Sequence, residues 1–149
     1  MIAVYVAGAS RNRERSRRFI ERVRNHPRMR ITYDWIADVD AAAAAGPFDC
    51  DLDDEKRRHF ADADLAGLAA ADVAVFLAET TEAGRGMWVE LGYAICIREA
   101  EADPCHSIVV SGGGRRSIFS ALADVELVSL DDAANDAATF DVLEELASE

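Results

Sequence analysis

Three short apolar runs constrain this chain most: IAVYVA at residues 2–7, DVAVFLA at 72–78 and SIVVSG at 107–112. A strand that alternates apolar and polar residues can leave one face in water, whereas a strand that is apolar throughout must be covered on both. Helical spacing separates the runs. Phe19, Ile20 and Val23 share one face before Pro27, and Phe60, Leu65 and Leu68 share one in a helix from about Asp53 to Ala71. A further helix from about Gly86 to Glu101 carries Met87, Trp88, Val89, Leu91, Tyr93 and Ala94 as its apolar set. A C-terminal one points Phe140, Leu143 and Leu146 inward. RITYDW (30–35) suits a second strand, VELVSL (125–130) a short fifth, and AAAAAGPFDCDLDD (41–54) a surface loop. This alternation predicts an α/β chain: one doubly wound domain over residues 1–149, with a central parallel sheet of about five strands and helices on both faces.

Composition narrows the function classes. No apolar run approaches the ~20 residues of a membrane helix. The N-terminus lacks a basic leader, and the three cysteines (Cys50, Cys96, Cys105) lack metal-ligand spacing, so a reduced, cytoplasmic protein is expected. A formal net charge of −12 argues against binding a nucleic-acid polymer. Yet RNRERSRR (11–18) holds five arginines in eight residues, a pattern that points to a small anionic ligand. A capped helix with a solvated arginine face is the plainer reading of the same residues.

Ligands of such sheets bind beyond the carboxyl ends of the strands. The candidate loops are therefore Gly8 to Arg13, Asp34–Trp35, Glu79 to Gly86 and Gly112 to Ser120. Gly8 precedes a helix that Ser10 or Asn12 could cap, and backbone N–H groups there form an anion seat to which Arg11 and Arg13 add charge. Glu90 is a carboxylate among apolar neighbours near a helix N-terminus, where the dipole should keep it ionised. An ionised, partly desolvated carboxylate can attack an anomeric carbon. It could equally stabilise the helix from an exposed position. Asp64 stands on the preceding helix, with Asp62 and Asp72 as competitors. Trp35 and Trp88 suit core packing or stacking on a base. The chain lacks G-x-G-x-x-G, a P-loop and G-x-S-x-G, and its three histidines lack the spacing of a zinc site.

Together these segments resemble the nucleoside 2-deoxyribosyltransferase superfamily, nearest its 2'-deoxynucleoside 5'-phosphate N-hydrolase branch. The resemblance runs from about Ile2 to Leu122. DLAGLAAADVAVFLAETTEAGRGMWVELGYA resembles the family's D-L-x-x-[LI] segment followed by its catalytic E-[LI]-G, and YVAGASRNR its Y-x-x-G segment. It implies a flavodoxin- or Rossmann-like domain with Glu90 as nucleophile, Asp64 handling the base's proton or positioning Glu90, and Tyr5 orienting Glu90. Gly8, Ser10, Arg11, Arg13, Arg85 and Gly86 would contact the substrate or its phosphate, Asp34 and Trp35 would line the base pocket, and no metal or cofactor is implied. FSALADVE resembles the hydrolase segment whose serine, here Ser120, reaches a neighbouring subunit's phosphate, which implies a homodimer. Where transferases commonly place Asp and hydrolases Ser, this chain has Gly84, followed by Arg85. The resemblance thus implies an N-glycosidase of (deoxy)nucleoside 5'-monophosphates. The alternatives are a base-exchanging deoxyribosyltransferase and a non-catalytic nucleotide-binding module.

Overall fold

Strand alternation sorts the core into two layers. The computed structural model describes residues 1–9, 13–45, 53–78, 85–100, 106–112 and 118–149. Five parallel strands, β1 (Ile2–Gly8), β2 (Met29–Ile31), β3 (Val73–Leu77), β4 (Ser107–Ser111) and β5 (Val125–Leu127), form one sheet in the order β2-β1-β3-β4-β5. Val4, Val6, Val73, Val75, Leu77 and Val109 point to one face, whereas Tyr5, Ala7, Ala74, Phe76, Ile108 and Val110 point to the other. The period of two puts neighbours on opposite sides, and both sides are covered. Helices α1 (Arg13–Arg24), α2 (Trp35–Ala45) and α5 (Asp132–Leu146) supply Phe19, Ile20, Val23, Trp35, Ile36, Val39, Phe140 and Leu143 to the first layer. Helices α3 (Asp54–Ala69) and α4 (Arg85–Ala100) supply Leu68, Met87, Leu91 and Ala94 to the second. A 3-10 helix, Ile118–Leu122, precedes β5. The doubly wound α/β fold read from the sequence is the fold observed.

Three local expectations are corrected. The second strand covers Met29–Ile31, and Trp35 opens a helix. Asp34 causes the switch, because its carboxylate accepts from the backbone N–H groups of Ile36 and Ala37, as an N-cap does. The alanines that follow continue α2 to Ala45, so the expected loop is helical over residues 41–45, in keeping with alanine's helix propensity. Residues 46–52 lie outside the described part. On α4, Met87, Leu91 and Ala94 are buried, but Val89 and Tyr93 are exposed, since residues two apart cannot share a helix face.

Two glycines matter to the site's surroundings. A Cβ on Gly8 would meet Ser16 Oγ at 2.1 Å, so this glycine lets α1 close onto the end of β1. Gly112, at φ 151°, lies where a Cβ would meet the Ala78 carbonyl oxygen at 1.9 Å. It allows the ends of β3 and β4 to approach each other.

Candidate active site

Tyr5 is the fourth residue of the central β1 run and faces the α3/α4 layer, fully buried. Its hydroxyl lies 3.1 Å from Asp64 Oδ1 and 3.0 Å from Glu90 Oε1. Asp64 comes from α3 and Glu90 from α4, 59 and 85 residues away in sequence. Two oxygens that share one hydroxyl at those lengths lie within about 6 Å of each other.

A phenol has one proton to donate. It can donate to one carboxylate, and the second contact is favourable only if that carboxyl carries its own proton and donates to the phenol oxygen. The trio is therefore a proton-sharing chain that accommodates one negative charge well and two badly. The titration behaviour follows. Burial and then the charge of Asp64 push Glu90 up to about 7, against the hydrogen bond from Tyr5. Burial pushes Asp64 up to about 6, with the charge of Asp38 adding to it and Tyr5 opposing. The Tyr5 hydroxyl is raised far above its ordinary value, first by burial and then by the two carboxylates, so it stays a donor. This corrects the expectation of a Glu90 held ionised by the helix dipole: desolvation beside a second carboxylate outweighs a dipole effect of ~0.3–1 kcal/mol.

The competing aspartates separate cleanly. Asp72 accepts from the Ala3 backbone N–H at 2.7 Å, at the amino end of the sheet, and Asp62 is exposed. Tyr33, which sequence reasoning overlooked, sits beside the trio and donates to Asp38. A Cβ on Gly67 would lie 2.5 Å from Tyr33 Cβ and 3.4 Å from Tyr5 Cδ2, so this glycine, one turn beyond Asp64, lets both tyrosines lie against α3. Gly67→Ala reveals that fit. In an ordinary helix the change gains ~1 kcal/mol, but here denaturant unfolding should show a loss of about 1–3 kcal/mol. A gain in the midpoint would refute the close packing.

The remaining expected site residues are placed as follows. Gly8 closes α1 onto β1, and Gly86 is exposed in the first turn of α4. Ser10 and Arg11 lie outside the described residues, as do Gly84 and the Arg85 side chain. In the described part of the arginine patch the charges face carboxylates. Arg13 and Arg17 pair with Asp40 at 3.0 and 2.7 Å, and Arg18 lies 3.7 Å from Glu14. Arg15 is buried and pairs with Asp132 and Asp136. The base-pocket expectation for Trp35 is also corrected. Its ring is buried in the other layer and its Nε1–H donates to the Val6 carbonyl at 2.8 Å, so it is not free to stack on a ligand beside Glu90. Asp34 is occupied as the α2 cap and by Arg24 at 2.7 Å. Ser120 is turned inward, 2% exposed, and donates to Glu126 at 2.6 Å. In that orientation it offers no hydroxyl to a neighbouring subunit.

Fold and site together define a doubly wound α/β domain with a tyrosine-linked carboxylate pair. No protein-family model matches the chain, and no curated protein does. Among the described residues, no helix is long and apolar enough to cross a membrane.

Proposed function

We propose that the chain is a cytoplasmic N-glycosidase that hydrolyses a (deoxy)nucleoside 5'-monophosphate to free base and (deoxy)ribose 5-phosphate. The observation that carries this reading is the Tyr5 hydroxyl within hydrogen-bonding distance of both Asp64 and Glu90. In the first step a Glu90 carboxylate oxygen bonds to C1' as the C1'–N bond breaks, and the departing base nitrogen takes the proton held by Asp64. In the second, Asp64, now ionised, removes a proton from water as the water oxygen attacks C1'. The ester to Glu90 breaks, and the sugar phosphate leaves with retained configuration. Tyr5 keeps Glu90 aligned and holds the pair at one shared proton.

A single shared proton has a pH signature. The productive form has Glu90 ionised and Asp64 protonated, the minor placement of the single proton because burial raises Glu90 further than Asp64, and the pair titrates as a unit. The kcat/KM profile should be a narrow bell with its maximum between about 6 and 7. Rate measurements that stay flat across two units either side would contradict the shared-proton chain.

The function itself is tested by incubating folded protein with a panel of nucleotides and resolving the products by chromatography. Release of free base from at least one nucleotide is expected, and no release from any of them would reject the reading. Adding nucleosides and acceptor bases to the same panel tests deoxyribosyl transfer. The pairing of Arg13 with Asp40, which leaves that arginine less available to a phosphate, favours including it.

The reading includes a homodimer, with its contact on α4 in place of Ser120. Gly86, Val89, Gly92, Tyr93 and Cys96 are exposed and fall along one face of α4, on which Arg85 also stands by its position. Sedimentation should show a dimer that Val89→Glu with Tyr93→Glu converts to monomer, and a monomeric parent protein would exclude it.

A further inference from the structure

Tyr33 and Asp38 stand beside the trio, and the chemistry above leaves them without a task. Tyr33 follows β2, rests against Gly67 and donates from its hydroxyl to Asp38 Oδ2. The phenol therefore holds one oxygen of Asp38. The other oxygen, Oδ1, accepts no hydrogen bond among the described residues, and no described cation pairs with this carboxylate. The nearby arginines are committed elsewhere, Arg13 and Arg17 to Asp40 and Arg24 to Asp34. Tyr33 thus links Asp38 to the trio, since its ring lies with that of Tyr5 against Gly67, one turn from Asp64, and the charge of Asp38 acts on the Asp64 carboxyl.

The charge of these carboxylates bears on which end of a nucleotide can lie beside them. Asp38, Asp64 and Glu90 together repel a phosphate. A base meets them without net charge, and its N–H groups complement a carboxylate. Among base edges, an exocyclic amino group brings a donor to such an oxygen, whereas a carbonyl brings a lone pair against it. Asp and Glu are the side chains that accept from the amino group of cytosine.

Resting on the glycosidase reading, we infer that Asp38, oriented by Tyr33, accepts a hydrogen bond from an exocyclic amino group of the departing base, so that the site selects nucleotides with aminated bases. A base carrying a carbonyl at that position leaves the acceptor unpaired and adds repulsion. Tyr33 also sets what a substitution does. In Asp38→Asn the Tyr33 hydroxyl still donates to the side-chain oxygen, which turns the amide N–H₂ toward the base and makes it a donor to a carbonyl.

The experiment uses pairs that differ in this group: deoxycytidine against deoxyuridine 5'-monophosphate, and deoxyadenosine against deoxyinosine 5'-monophosphate. The folded protein, Asp38→Asn and Tyr33→Phe are assayed for kcat and KM, and titrated calorimetrically with the same nucleotides. Folding of the variants is checked by circular dichroism. The parent protein should favour the aminated member of at least one pair by roughly 10- to 100-fold. Asp38→Asn should collapse or reverse that ratio while the better member of the pair is still turned over. Tyr33→Phe should reduce the ratio mainly through KM, with kcat little changed. Turnover of both members at equal efficiency, or an unchanged ratio in Asp38→Asn, overturns the inference and leaves the glycosidase reading standing. Binding that prefers the aminated member, depends on Asp38 and is not followed by base release supports the inference and rejects that reading. Neither binding nor turnover rejects both.

Discussion

Glu90→Gln should abolish base release, by at least ~10³-fold in kcat, and at the same time make the protein more stable above neutral pH. The two effects have one cause. The folded-state pKa of Glu90 is raised from its ordinary value to about 7 by burial and by Asp64. A group whose pKa is raised on folding contributes stability that is fully present below its unfolded value and lost as pH rises through the folded one. Above about 7 the native state must hold a desolvated anion beside a second carboxylate. A shift of this size corresponds to a cost of about 3 kcal/mol. Glutamine removes the charge and can still accept from Tyr5. Thermal melts at about pH 8 should therefore show the variant higher by several degrees, at ~2–4 °C per kcal/mol, and near pH 4 the two proteins should coincide. Surviving activity would remove Glu90 as the nucleophile. Lost activity with no alkaline stabilisation would mean that the carboxylate is better solvated than its position implies.

Arg15→Met should produce the largest loss of stability, about 3 kcal/mol, or roughly 10 °C in the melting midpoint. Arg15 is 3% exposed. Its guanidinium lies 2.6 Å from Asp136 and 3.2 Å from Asp132, and donates to the Ala78 and Ser111 carbonyls at 3.1 and 3.5 Å. It thus ties α1 and α5 to the carboxyl ends of β3 and β4. Methionine fills much of the volume but leaves two carboxylates facing each other and two carbonyls without that donor. Arg15 is the buried member of this cluster, and Asp136 and Asp132 are 25% and 39% exposed, so the loss comes mainly from the two carbonyls and the less exposed Asp136 left without their partner. Denaturant unfolding checks the value. A midpoint within the error of the parent protein would show that water reaches Asp132 and Asp136 readily enough to replace the arginine.

Glu90 was readable as a candidate because it is a carboxylate among apolar neighbours, whereas Asp64, with Asp62 and Asp72 as competitors, and Tyr5 were singled out by the family resemblance. Tyr33 and Asp38 break no pattern. The tyrosine stood inside a run that reads as strand, and an aspartate in the first turn of a helix is ordinary. What draws them to the site is the contact of Tyr33 with Gly67, and no spacing rule relates those positions. Trp35 misled for a similar reason. It lies beyond a strand end where ligands bind, but the cap formed by Asp34 starts a helix that turns the indole into the opposite layer.

By itself the sequence determined the five strands and four of the five helices, all but α2. Those features depend on periodicity and end signals that act within a few residues along the chain. Only the tertiary structure decided that Glu90 and Asp64 meet at the Tyr5 hydroxyl, and that the described arginines of the N-terminal patch face carboxylates. Burial and Coulomb interaction are properties of distance in space. Between residues 59 and 85 positions apart, that distance exists only once the sheet has formed and α3 and α4 have packed on the same side of it.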